Sequence, residues 1–382
     1  MRTIVPWANE SPQSPAAVLH YNLMKLIFDA RYIRTDFHDG ISRYSTELAN
    51  ALADNLSITF LVCSKKQLHF LPKDAPYILF HAPTSWREPF SALLLNRHRP
   101  DVVFSPMQTI GSFGRHFKLI LTLHDLIYYR HRTPPRNLPW VVRIGWRLFH
   151  MSYLPQRLLL DAADVVATVS ETSKQDILAH KLTKRPIIVV PNAPQQLAAL
   201  VGKDIVRTHS TNLVYMGSFM RYKNVETLIA GMAFLPGYTL HLLSRIRPAR
   251  QNALAKRMPK EATAVFHNGV TDTQYAELLA DNALLVSASL DEGYGLPLAE
   301  SLAMGVPAIV SNIEIFHEVA GPGALYFPAD DPHLFAAAVQ RAADPAIYTE
   351  LSTKGNAYIQ SFSWKASAKV LQITVQTIAR RS

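Results

Sequence analysis

The sequence predicts an α/β protein in which two doubly wound parallel sheets face a central cleft. Two observations lead there. Short apolar, β-rich runs alternate with stretches of helical periodicity in both halves of the chain, the pattern of parallel strands covered by helices on both faces. The length, 382 residues, exceeds what one ordinary hydrophobic core holds together, so two domains are expected.

In the first half, strands are expected at 24–29, 57–63, 77–81, 101–105, 118–123, 164–169 and 187–190, with helices at 43–54, 140–160 and 173–180. In the second half, strands are expected at 212–216, 238–243, 263–267, 283–287, 307–310 and 324–327, with helices at 224–233, 273–280, 298–304 and 332–343. Residues 1–23 are rich in Pro, Ser and Asn and read as a flexible extension, or as sequence upstream of a true start at Met24. The polar, aperiodic stretch 193–210 marks the boundary between a first domain over 24–195 and a second over 208–365. Sheets of this kind bind ligands beyond the carboxyl ends of their strands, so a tandem pair puts a ligand between them.

A hydrophobic fraction of 48% and a charged fraction of 18% fit a folded globular protein. No stretch reaches the roughly 18 uncharged apolar residues of a membrane span, and the first residues lack the apolar core of a signal peptide. The single cysteine, Cys63, cannot close an internal disulfide; it lies in an apolar run and reads as a small core hydrophobe, in keeping with a cytoplasmic location. The net charge of +10 is uneven: residues 1–195 carry 23 Lys+Arg against 14 Asp+Glu, and residues 196–382 carry 16 against 15. A basic first half fits either an anionic partner (a phospholipid surface, a lipid-pyrophosphate acceptor or nucleic acid) or simply a soluble basic surface. No RRM signature, zinc finger or Walker lysine motif is present, and nucleic acid is not expected.

The segment with the most chemistry is Asp291-Glu-Gly-Tyr-Gly-Leu-Pro-Leu-Ala-Glu300, which follows an apolar strand. Pro297 suits the first turn of a helix, where its missing N–H costs nothing. The free N–H groups of such a helix start favour anions. A carboxylate such as Glu300 accepts two hydrogen bonds from a ribose diol, and Glu292 at the turn accepts from a sugar hydroxyl. Taken alone, the segment is equally an ordinary strand–turn–helix junction.

Set in order along the chain, however, the motifs resemble those of the retaining glycosyltransferases of family 4, which have the GT-B fold of two Rossmann-like domains. Glu292 and Glu300 match the E-x7-E signature, and Ser301-Leu-Ala-Met-Gly305-Val-Pro307 continues it. Met216-Gly217-Ser-Phe-Met-Arg221-Tyr-Lys223-Asn224 resembles the glycine turn and basic diphosphate-binding segment. Gly40-Ile-Ser-Arg43-Tyr44, Val169-Ser170-Glu-Thr-Ser173 and Pro191-Asn192 resemble motifs of the first domain. Phe362-Ser-Trp364 resembles the start of the C-terminal segment, so that 366–382 is expected to form a helix crossing back to the first domain.

The resemblance implies roles. Glu300 would bind the ribose and Glu292 the transferred sugar, with the backbone N–H groups of Tyr294, Gly295 and Leu296 on the sugar or distal phosphate. Lys223, with Arg221 as helper, would neutralise the diphosphate; fixed cations stabilise charge developing on such a leaving group. Here the chain departs from common family patterns, with Ser218 directly after the glycine and Tyr222 directly before the lysine, which leaves Lys223 the firmer assignment. Gly217 would allow close approach, and Val270 holds a position that often touches the nucleobase, although a strand-to-loop junction explains it nearly as well. In the first domain, His124 would face the donor sugar at the end of a strand, and Gly40 would lie near the donor phosphates. Arg43 fits a phosphate partner and a structural salt bridge equally. Asp125 reads as a turn former.

The activity implied is retaining transfer of a hexosyl unit, mannosyl by guess, from a UDP- or GDP-sugar to a hydroxyl of a glycan or lipid-linked acceptor in cell-surface polysaccharide or glycolipid assembly. Attack on the front face, with the leaving phosphate taking the proton, replaces a carboxylate nucleophile, so Glu292 is a sugar-positioning group. No Asp-x-Asp and no zinc-spaced His/Cys cluster occurs, so neither metal nor cofactor is expected. The basic aromatic stretch 128–149 fits an interfacial helix at the inner face of the plasma membrane, or an amphipathic helix packed on the sheet. The alternatives are a GT-B nucleotide-sugar epimerase, a non-catalytic nucleotide-sugar or nucleic-acid binder, and a phosphorylase-like enzyme, for whose pyridoxal phosphate lysine there is no motif.

Overall fold

A computed structural model of the chain describes residues 24–36, 39–134, 139–201 and 211–380. The proposed extension 1–23 and residues 202–210 of the boundary stretch lie outside the described residues.

Two parallel sheets form. The first holds β1 (Leu26–Asp29), β2 (Ile58–Val62), β3 (Tyr77–Leu79), β4 (Val102–Ser105), β5 (Lys118–Thr122), β6 (Val165–Thr168) and β7 (Ile187–Val189), in the spatial order β3-β2-β1-β4-β5-β6-β7. The second holds β8 (Asn212–Tyr215), β9 (Thr239–Leu242), β10 (Thr263–Phe266), β11 (Ala283–Ser287), β12 (Ala308–Ser311) and β13 (Ala324–Phe327), in the order β10-β9-β8-β11-β12-β13. Both are doubly wound, with the order reversing between β1 and β4 and between β8 and β11. The thirteen predicted strands all form, each within two residues of its expected bounds. Their legibility has a physical cause. Central strands such as β1, β4, β6 and β12 are buried along their whole length, because helices cover both faces, and so each opens with three consecutive apolar residues before a buried polar one. The edge strands β3 and β10 instead alternate in exposure.

The helix expected over 140–160 is two helices, Trp140–Phe149 and Leu154–Asp161. Pro155 explains the break: it has no N–H to donate to the carbonyl four residues before it, so it is tolerated in the first turn of a new helix and not inside a continuous one. Cys63 is half-buried just beyond β2 rather than a core residue, with the Arg31 carbonyl 3.9 Å from its sulfur.

After the second sheet the chain returns. The helix Trp364–Ala379, capped by Ser363, packs along the helix Gly40–Ala53 of the first half. There Ser367 Oγ donates to the Pro191 carbonyl at 2.7 Å, and the rings of Trp364 and Tyr44 meet edge to face. One continuous apolar cluster includes Phe28 and Phe104 on one side, Leu371 in the returning helix, and Leu285 and Leu298 on the other. The two sheets are therefore joined by shared core along one side and face each other across a cleft on the other.

Candidate active site in the interdomain cleft

The cleft has a volume of about 600 Å³ and is lined by segments that leave the carboxyl ends of strands in both sheets. From the second sheet come Gly217 and Lys223 after β8 and Glu292 to Glu300 after β11, adjacent strands at the point where the order reverses. From the first come Gly40 and Arg43 after β1 and His124 after β5.

Glu292 and Lys223 form an ion pair at 2.5 Å in which both side chains are largely shielded from solvent, and Ser289 Oγ donates to the same Glu292 oxygen at 2.9 Å. Gly295, at φ +93°, turns the chain into the helix Leu296–Ala303. A side chain at that φ would be strained, so the turn requires glycine. No side chain caps this helix, and its first turn faces the cleft. Glu300, inside the helix, is buried, and burial pushes its carboxyl up to about 7; the Arg43 guanidinium, 2.6 Å away across the cleft, opposes that rise.

His124 lies two residues past β5. Its Nε2 donates to the Pro106 carbonyl at 2.8 Å and its ring meets Tyr44 edge to face, while burial holds its pKa below the usual histidine value. The imidazole is thus neutral at pH 7, with Nδ1 left as an acceptor. Asp125 does form the expected local bond, accepting from the Ile127 N–H at 2.9 Å, but it also has a part that its sequence context hid. Its carboxyl abuts Gly293 of the other domain, where an added Cβ would sit 2.5 Å from Oδ2, and burial raises it to about 6.

Further contacts that the sequence did not reveal close the cleft. Arg130 makes a two-pronged bond to Asp291, at 2.5 and 2.7 Å, and a third bond to Asp176. His131 stacks on Tyr222, with ring centroids 5.1 Å apart. Glu318 accepts from the Glu171 and Thr172 N–H groups at 2.7 and 2.8 Å, capping a first-domain helix from the second domain. The only advance signal was the surplus of positive charge in the first half. Two predicted residues are absent from the cleft lining: Arg221 is exposed in the turn Arg221–Lys223, and Val270 packs against the apolar cluster. Among the described residues, no group of three or more His, Cys, Asp or Glu side chains is arranged to hold a metal ion.

Comparison with known proteins identifies this architecture. A model described as "Glycosyl transferases group 1" matches residues 210–344, and one described as "Glycosyltransferase Family 4" matches residues 38–193. The chain belongs to glycosyltransferase family 4. This glycosyltransferase is 26% identical over 237 residues to O-antigen chain mannosyltransferase B of Escherichia coli, a match that covers 57% of this chain and 60% of that protein. It is 31% identical over 278 residues to the MMP alpha-(1->4)-mannosyltransferase of Mycolicibacterium hassiacum, covering 69% of this chain and 66% of the other. The chain therefore matches somewhat under two thirds of the length of each of these curated relatives. Among solved structures, the Anabaena protein HepE in complex with UDP-glucose superposes with a TM-score of 0.66 at 15% identity, covering 93% of this chain and 100% of that one. At that identity the likeness speaks to the fold, which is GT-B. In the glycosyltransferase, Glu292, Lys223, Glu300, Gly217, Gly40 and His124 all line one cleft.

Proposed function

We propose that this glycosyltransferase moves a hexosyl unit, with mannosyl the favoured identity, from a nucleotide-diphosphate sugar to a hydroxyl of a glycan or lipid-linked acceptor, with retention at the anomeric carbon, in the assembly of cell-surface polysaccharide or glycolipid. The observation that carries the reading is the convergence of Lys223, Glu292 and Glu300 at the reversal point of the second sheet, opposite His124. In this reading Glu300 takes the ribose diol and Lys223 leaves Glu292 for the diphosphate. Glu292 then accepts from a sugar hydroxyl, and the exposed start of the helix Leu296–Ala303 adds its positive dipole end to the phosphates. His124 is neutral and works by hydrogen bonding through Nδ1 rather than as a cation. The names of the relatives, an O-antigen chain mannosyltransferase and an alpha-(1->4)-mannosyltransferase, support the mannosyl donor, and the first supports the setting. We place the reaction on the cytoplasmic side of the membrane, where nucleotide sugars are made.

A thermal-shift screen against UDP-, GDP- and ADP-sugars tests the donor side. One nucleotide sugar should raise Tm, and Glu292→Gln should lose turnover while keeping its fold. If no nucleotide sugar stabilises the protein, or if the variant turns over normally, the reading is wrong.

A further inference from the structure

Among the described α-helices, Trp140–Phe149 alone has no buried residue. Trp140, Ile144 and Leu148 recur every four residues with Val141 beside them, so they share one face, and that face is in solvent, with Trp140 73% and Leu148 62% exposed. The opposite side holds the helix to the protein: Trp146 meets Tyr128 edge to face, and Phe149 packs against the apolar cluster that contains Leu126, Tyr129 and Leu160. The exposed apolar face continues past the Pro155 break through Met151, Leu154 and Leu158. An apolar face of this extent on a soluble protein marks an interaction site.

Charge says what covers it. Residues 126–160 contain six arginines and no Asp or Glu, and two of the arginines, Arg143 and Arg147, lie on the helix beside the apolar line. A surface that pairs an apolar plane with a one-signed basic field is met by an anionic lipid bilayer, whose acyl boundary takes the aromatic and aliphatic groups and whose phosphates take the arginines. The helix is also tied to the cleft. Tyr128, on which Trp146 rests, lines the cleft, and Arg130 two residues later grips Asp291 of the donor domain.

We propose that the face formed by Trp140, Val141, Ile144, Leu148, Leu154 and Leu158 docks on an anionic bilayer and so brings the cleft mouth to the membrane surface, where an amphiphilic, lipid-linked acceptor presents its hydroxyl. The docking stands on the surface alone; only the identity of what the bilayer presents rests on the transferase reading.

Flotation of the full chain with vesicles of phosphatidylglycerol and phosphatidylethanolamine, against vesicles of phosphatidylcholine, tests it. Binding to the anionic vesicles is expected to be on the order of tenfold stronger and to fall between about 0.1 and 0.5 M salt. Ile144→Asp with Leu148→Asp should lower the bound fraction about tenfold without changing Tm or the nucleotide-sugar thermal shift. Leu334→Asp, at an exposed position of the second domain, should leave binding intact. Absence of flotation with anionic vesicles, or equal binding by the double variant, overturns the proposal. So does a wild-type dimer in light scattering that the double variant dissolves while neither protein floats, since the face then serves a second copy of the chain. If flotation succeeds but no nucleotide sugar shifts Tm, the transferase reading falls and the docking stands.

Discussion

Replacing Glu300 by Gln is expected to stabilise the fold at neutral and alkaline pH while weakening donor binding. Glu300 is 2% exposed, and burial lifts its carboxyl from 4.5 to about 7 even with Arg43 beside it. The folded-state value lies above the unfolded one, so the folded protein holds the proton more tightly. Stability is therefore complete below about pH 4.5 and is lost as pH rises through about 7. The whole gap corresponds to ~3 kcal/mol, of which ~2 kcal/mol falls between pH 5.5 and pH 8. Gln removes the titration, keeps the volume and leaves an acceptor oxygen for Arg43. Arg43 loses its ionic partner at 2.6 Å but keeps Asp272 at 3.4 Å, which shifts the variant's curve without changing its slope across this pH range. The Tm of the variant relative to wild type should thus improve by about 2–3 °C from pH 5.5 to pH 8, measured by thermal denaturation in matched buffers. Donor affinity should drop about tenfold, the difference between charge-assisted and neutral hydrogen bonds to a diol. A Tm difference that stays constant across this range would refute the raised carboxyl, and unchanged donor affinity would refute the ribose role.

Three more outcomes are expected. Lys223→Met should lower kcat by about 10²–10³, the usual loss when one fixed donor to developing charge is removed, and should cost some stability because Glu292 is left without its cation; steady-state kinetics with an unchanged kcat would remove Lys223 from the diphosphate. Gly293→Ala puts a Cβ 2.5 Å from Asp125 Oδ2 and should destabilise the closed cleft by about 1–3 kcal/mol, read as a lower Tm and a larger radius of gyration in solution scattering, with Asp125→Ala restoring both. Failure of that second substitution to rescue would mean that the two domains do not meet there. Transfer should persist in EDTA, with Lys223 and the helix start supplying the positive charge; loss of activity that Mg²⁺ restores would count against this.

Much of the fold was legible because buried parallel strands announce themselves. β1, β4, β6 and β12 are buried along their length and apolar in their first three residues, each ending on a polar one: Asp29, Ser105, Thr168 and Ser311. The helices were harder. Glu314–Ala320 and Pro345–Ile359 were not expected: the first is only two turns long, and the second buries a stripe of Tyr348, Leu351, Ser352, Gly355 and Ile359 in which Ser352 and Gly355 break the apolar pattern. At the site, residues fixed by local backbone were readable: Gly295 and Pro297 mark the turn and helix start, and Glu292 and Glu300 take their places from it. Residues whose work is done across the cleft were not. Arg130, Asp291 and Glu318 are unremarkable in their own segments and acquire a role only when the domains meet, and nothing local marks Arg221 as lying outside the cleft.

The signs of these cross-cleft contacts are not random. Arg43 and Arg130 of the first domain reach Glu300 and Asp291 of the second, and the first-domain helix start at Glu171 reaches Glu318. In each case the positive end belongs to the basic half of the chain and the carboxylate to the donor half. A partly exposed pair of this kind contributes at most about 1 kcal/mol, so closure rests on several of them acting with the shared apolar core along the opposite side. The arrangement also explains how a buried carboxylate such as Glu300 is tolerated, because removing the cation from a buried pair would leave a far costlier lone charge. In the proposed reading a nucleotide sugar carries both complements at once, a diol for Glu300 and a diphosphate for Lys223. Its entry therefore exchanges protein–protein ion pairs for protein–ligand ones instead of stripping charges bare, and the net electrostatic change on binding stays small. Affinity should then fall with rising ionic strength only weakly, less than the number of charges in the cleft implies, since salt screens the pairs that are broken as well as those that are made.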